Sequence, residues 1–155
     1  MISTLEKKAQ KYFIGIELRT TPQEGQDRKD IPLHWTKFFA EGVIDKIPNK
    51  KSSAILGLYT DYEDDYTKPY SFIIGCEVFS LDMIPFGLVG KVIPESDYEV
   101  ISVEGSFPES LQATWQMIWN SNLQRTYRND YEEYPADFDP KNNPRYKVNI
   151  CIKSF

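Results

Sequence analysis

Residues 54–79 read AILGLYTDYEDDYTKPYSFIIGCEVF. Two runs rich in β-branched and aromatic residues, Ala54 to Tyr62 and Tyr70 to Phe79, flank the acidic turn EDDYTKP. Such residues fit the half-buried surface of a sheet, and a short polar turn between two such runs predicts a β-hairpin. Upstream, Tyr12 to Leu18 (YFIGIEL) reads as a strand that ends in the polar stretch TTPQEGQDRKD. A helix follows, with Asp30 as its N-cap and Pro32 in the first turn, where no amide hydrogen is needed. Ile31, Trp35, Phe38, Phe39 and Val43 then recur at helical spacing and give one apolar face. Downstream, LDMIPFG is a connector, and the plan repeats. Leu88 to Ile93 and Tyr98 to Val103 are strands around the turn PESD. Ser106 and Glu109 have the spacing of a capping box. Leu111, Trp115, Ile118 and Trp119 share one face of the helix this opens. Strands around Tyr127 to Tyr134 and Tyr146 to Ile152 close the chain.

Thr60-Asp61-Tyr62-Glu63 has a counterpart in Asn129-Asp130-Tyr131-Glu132, and Tyr70–Cys76 has one in Tyr146–Cys151. The expected organisation is therefore two pseudo-repeat halves, about residues 11–80 and 88–155, each a strand-helix-strand-strand unit. That is an α+β fold: a mostly antiparallel sheet, two main helices, and a cleft where the halves meet.

Composition narrows the function. The 155 residues carry 18 Lys plus Arg against 23 Asp plus Glu, a net charge of -5. A nucleic-acid binder needs a basic face to neutralise phosphates, so direct DNA contact is not expected. Two cysteines and one histidine cannot supply a disulfide scaffold or a clustered zinc site. The reading is two free buried thiols in a cytoplasmic protein, with no metal and no cofactor. No stretch approaches the roughly 20 apolar residues of a membrane span.

Catalytic signatures are absent: there is no GxSxG elbow, phosphate loop, GxGxxG or HExxH. His34 reads as an ordinary helix residue, not a base. The acidic turn Glu63-Asp64-Asp65 lacks the ligand spacing of a calcium loop and reads as solvated. The informative string is Tyr131-Glu132-Glu133-Tyr134. Alternation along a strand sends Glu132 and Tyr134 to one face, Tyr131 and Glu133 to the other. A carboxylate among aromatic rings can neutralise a stacked cation. When desolvated, it can instead serve as a general base. On pattern alone, the short and unspecific string DYEEY reads first as a solvated strand edge lined by both glutamates. Ten tyrosines are many for a core, because each buried hydroxyl needs a partner. A concave site using tyrosine faces and hydroxyls would account for the excess, and so would a solvated sheet face. Trp115 reads as core; Trp35 and Trp119 divide between core and pocket.

Taken in order, YFIGIELRT, IPLHWTKFF, ILGLYTDYE, YSFIIGCEV, YEVISVEGSFPESLQATWQMIW and YRNDYEEY span about residues 11 to 152. This order resembles the GyrI-like, or bacterial transcription-activator effector-binding, domain family, and within it the stand-alone integron-cassette type. The resemblance implies a single effector-binding domain over residues 1–155, folded as a duplicated strand-helix-strand-strand unit into a curved antiparallel sheet. It implies that an amphipathic, cationic aromatic small molecule binds in an aromatic cleft with a buried glutamate. On this chain that glutamate is Glu132, with Tyr134 beside it and Trp35, Tyr59 and Trp119 in the cleft. Relatives often carry a helix-turn-helix, for which this chain has neither length nor basic charge. It would sense or sequester a ligand for transcription regulation or drug response. Two alternatives stand beside this. One is a hydrolase of reactive, cyclopropanoid-type molecules, with Glu132 activating water. The other is a protein-interaction module of the gyrase-inhibitor kind, using the acidic turn at Glu63, Asp64 and Asp65. The departure from the family pattern is Tyr131, where relatives often have Phe, followed by the second acid Glu133; a strand bulge would turn Glu133 inward instead of Glu132.

Overall fold

Eight antiparallel strands form one sheet in the computed structural model, which describes residues 2–154. In chain order they are β1 (Ile2–Lys8), β2 (Lys11–Thr20), β3 (Ile55–Thr60), β4 (Tyr70–Val78), β5 (Val89–Ile93), β6 (Ser96–Glu104), β7 (Asn129–Tyr134) and β8 (Arg145–Ile152). Helix α1 (Gln26–Ala40) and the single turn α2 (Val43–Lys46) lie between β2 and β3; α3 (Glu109–Trp119) lies between β6 and β7. The strand order is β1-β6-β8-β7-β3-β4-β2-β5. The triplets β7-β8-β6 and β3-β4-β2 have the same connectivity, each with its helix between first and second strand in sequence. The predicted hairpin is β3–β4, its second-half equivalent is β7–β8, and the triplets meet where β3 pairs with β7.

The sheet must curl. Strands β5 and β6 stand six positions apart in the sheet, roughly 29 Å if it were flat. Only Pro94 and Glu95 join them, and three Cα steps reach about 11 Å at most. The segments around PESD are therefore not a hairpin: β5 pairs with β2, and β6 pairs with β1 and β8. On the inner face of the curl, Phe13 and Ile93 share one buried cluster with Tyr131 of the central strand β7 and with Tyr98 and Val100 of β6, near the other end of the sheet. Gly15 and Gly75 sit opposite each other on β2 and β4. A Cβ on either would come within 2.3 or 2.0 Å of the carbonyl oxygen of Ile74 or Ile14, so only glycine fits this crossing.

The outer face carries the helices. Phe38 and Val43 pack on Ile14, Ile16, Phe72 and Ile74; Trp115 and Ile118 pack on Ile101, Val148 and Ile150. Trp35 and Tyr59 pack against both clusters, so they mark the seam between the two helical layers.

Three local expectations are corrected. Helix α1 begins at Gln26, behind Gly25 at φ 70°, so Asp30 is not its N-cap and Pro32 lies inside the helix. The Asp30 carboxylate instead accepts from Thr20 Oγ1 at 2.8 Å and Gln26 Nε2 at 3.1 Å. The capping box at Ser106 does not form: α3 starts at Glu109 after Pro108, with no side-chain cap. Strand β3 ends at Thr60, because Asp61 turns into the left-handed region at φ 49°.

Cys76 and Cys151 are free and buried, on opposite faces of the sheet. Burial pushes the Cys76 thiol up to about 11. Neither thiol should react with an aromatic disulfide reagent at pH 8 in native buffer, and both should react in denaturant. Rapid native labelling of either one would contradict this packing.

Candidate functional site

Strand β7 pairs with β3 without interruption, from Thr60 opposite Asn129 to Ile55 opposite Tyr134. No bulge intervenes, so the alternation holds. Asp130, Glu132 and Tyr134 face the helical side; Tyr131 and Glu133 face the inside of the curl. Glu132 is 1% exposed, while Glu133 is only half-buried.

The residue opposite Glu132 is Gly57. A Cβ there would stand 3.1 Å from the Phe72 ring and 3.5 Å from the Trp35 indole. The missing side chain is what lets these rings close over the strand next to the carboxylate. Three donors then converge on Glu132. Tyr59 Oη donates to Oε2 at 2.5 Å, Trp115 Nε1 donates to the same oxygen at 3.0 Å, and Tyr134 Oη donates to Oε1 at 2.5 Å. All three are neutral, and among the described residues Glu132 has no cationic partner. Burial raises the Glu132 carboxyl above the usual range, and the three hydrogen bonds pull it part of the way back. Burial first, then the nearby carboxylate, pushes Tyr59 and Tyr134 far up, so both hydroxyls stay protonated as donors.

Aromatic rings enclose this centre. Trp35 meets the Tyr134 ring edge-on at 5.6 Å between centroids. Tyr59 lies 4.8 Å from Phe72 and 5.0 Å from Trp115. Trp119 is one turn further along α3, 6.4 Å from Trp115 and 45% exposed. Its ring is nearly parallel to Tyr66, 6.2 Å away, and Tyr66 belongs to the β3–β4 turn and is also exposed. Glu132, Tyr134, Tyr59 and Trp35 therefore form one connected group, and Trp119 stands at its outer rim. His34 lies apart, its Nε2 paired with the Ile16 carbonyl at 2.9 Å; burial lowers its pKa. Among the described residues no group of three or more His, Cys, Asp or Glu side chains is placed to hold a metal ion.

Sequence reasoning assigned Trp115 to the core alone. It is packed there, but its indole N–H is one of the three donors to Glu132. The spacing shared by Trp115 and Trp119 was the available signal; which of them reaches the carboxylate depends on depth. The Asp130 site went unrecognised too. Asp130 is fully buried, and its Oδ2 accepts from Arg125 Nη2 at 2.9 Å and from Tyr62 Oη at 2.6 Å. Its Oδ1 accepts the Cys151 backbone N–H at 2.8 Å.

Comparison with known proteins agrees with this architecture. The family model Cass2, described as integron-associated effector binding protein, matches residues 4–152. YobU of Bacillus subtilis (strain 168), a protein named for a proposed role in transcriptional regulation, is 25% identical over 148 residues, 92% of each chain. Two solved structures share the fold. An integron cassette protein from the mobile metagenome of Vibrio cholerae has TM-score 0.73 and 22% identity, over 97% of this chain and 95% of that one. SAV2435, solved bound to tetraphenylphosphonium, has TM-score 0.83 and 19% identity, over 99% of this chain and 95% of that one. No helix among the described residues is long and apolar enough to cross a membrane.

Proposed function

The chain belongs to the integron-associated effector-binding family, and from that premise we propose that it binds an amphipathic, cationic aromatic small molecule at Glu132. It would act as a cytoplasmic sensor or sequestering module in transcription regulation or drug response. One observation carries this reading: a fully buried carboxylate held by three neutral donors and, among the described residues, no counter-ion, inside a shell of aromatic rings. An isolated buried charge is costly unless a cation balances it. A lipophilic cation supplies that balance, and its rings take the faces of Tyr59, Trp35 and Tyr134. Cation–π contacts add roughly 0.5–2 kcal/mol each when desolvated. The net charge of -5 favours the approach of cations. SAV2435, which shares the fold, was solved with a lipophilic cation, and this supports the same ligand class here.

Glu132 lies beneath its own rings, so a ligand reaches it only when a ring gives way. The exposed parallel pair Trp119 and Tyr66 is the proposed point of access.

Thermal denaturation with tetraphenylphosphonium and with neutral triphenylphosphine oxide tests the reading. At about a hundred times its dissociation constant the cation should add about 2.7 kcal/mol, raising Tm by roughly 5–10 °C. The neutral compound should do far less. An equal response to both, or none to either, would rule out a cation site.

A further inference from the structure

A second polar pole lies beside the Glu132 group. Arg125, on the segment leading from α3 into β7, is paired with Asp130, two residues before Glu132 on the same face. Asp130 is fully served by Arg125, Tyr62 and the Cys151 amide. Arg125 is not. Its side chain is 3% exposed, yet Nε and Nη1 are buried with no hydrogen-bond partner. The guanidinium lies over the Tyr127 ring at 4.4 Å and near the Trp115 ring at 5.8 Å. A ring offers its π face to the cation but no lone pair to N–H bonds that lie in the guanidinium plane. Buried donors of this kind are normally satisfied, so the exception calls for an acceptor.

Trp115 links the two poles. Its indole N–H donates to Glu132, while its ring lies beside Arg125. A molecule lying along this indole would meet a carboxylate at one end and unused guanidinium donors at the other. Asp130 already neutralises Arg125, so the guanidinium does not repel a cation bound at Glu132.

Building on the cation site above, we propose that the ligand also carries an oxygen acceptor, a carboxylate or carbonyl, received by Nε and Nη1 of Arg125. The site thus selects amphoteric aromatic compounds over simple lipophilic cations. Tyr62 and Asp130 are positioning residues: they hold the guanidinium in place and do not touch the ligand.

A dye pair tests this: a rhodamine bearing a free carboxylate and the matching rosamine that lacks it, titrated by fluorescence polarisation. The wild-type protein should prefer the rhodamine by about 10- to 100-fold, the range expected for charge-assisted hydrogen bonds. In the double variant Arg125→Met/Asp130→Asn, which removes both charges together, the ratio of the two affinities should fall toward one. Circular dichroism checks that this variant folds. Arg125→Lys keeps the ion pair without the planar donors, and it should lower the ratio in the same direction. Rosamine binding as tightly as rhodamine to the wild type would overturn the proposal while leaving the cation site standing. So would a preference that survives in both variants. If neither dye binds the wild type, the cation site itself fails, and this inference fails with it.

Discussion

Arg125→Met should destabilise the fold by about 3–5 kcal/mol, the range for breaking a buried ion pair from one side. The loss does not come from the ion pair's net worth. It comes from what remains: Asp130, fully buried, with only the Tyr62 hydroxyl and the Cys151 amide to hold its charge. Two neutral donors do not replace a guanidinium at 2.9 Å in a medium that screens poorly. The same logic predicts a rescue. Adding Asp130→Asn removes the stranded charge; the amide oxygen can still accept from the Cys151 N–H, and the amide NH2 can donate to the Tyr62 hydroxyl oxygen. The double variant should regain most of the lost stability, giving a large coupling term in the mutant cycle. Urea titration reads this directly, as a lower midpoint for the single variant with an unchanged slope. A loss under about 1 kcal/mol for Arg125→Met would place the pair in the class of surface ion pairs, against its burial.

The parts of this molecule legible from residues alone are those with a periodicity. The hairpin 54–79 became β3 and β4, because alternating apolar residues and a polar turn leave few other structures. The same period of two put Glu132 and Tyr134 together and sent Glu133 away. Strand β1 carried no such mark. Its residues ISTLEKK are almost wholly exposed, so no buried face patterns them, and only the free edge of β6 recruits them. The start of α1 was hidden for a related reason: Gln26 to Asp30 contribute no buried residue to the apolar stripe that signals a helix. PESD looked like a hairpin turn because closeness in sequence usually means pairing; the curl of the sheet takes β5 and β6 to different partners. The Arg125–Asp130 pair was invisible because it joins an irregular segment to a strand, and no spacing rule connects those two. Trp115 and Trp119 differ only in depth along one helix, a property of packing that appears once β7 and α3 are docked.

Glu132→Gln should abolish most of the cation affinity while preserving the fold. Glutamine keeps the shape and an acceptor for Tyr59, Trp115 or Tyr134, but it offers no charge to a bound cation. The expected loss is roughly 1–4 kcal/mol, as for a partly desolvated ion pair. Acidity sharpens the prediction. Burial raises the Glu132 carboxyl above its ordinary 4.5 in the folded protein. Below that raised value the free site holds a proton, and a cation must displace it. Affinity should therefore grow with pH, by up to about tenfold per unit, and level off once the folded carboxyl is fully ionised. In Glu132→Gln this dependence should vanish. Unliganded stability should move the opposite way. An acid whose folded pKa is raised contributes stability that is fully present below its unfolded value and is lost as pH rises through the folded one; each unit of difference is worth about 1.4 kcal/mol. The wild-type protein should thus lose stability relative to Glu132→Gln as pH climbs through this window, and regain it when the cation binds. Calorimetric titrations with tetraphenylphosphonium at several pH values, paired with melts of both proteins, measure the two trends together. A wild-type affinity that does not change with pH would mean that the bound cation and the Glu132 proton do not compete. The buried carboxylate would then be a structural hydrogen-bond acceptor for three aromatic side chains, and any cation site would lie elsewhere.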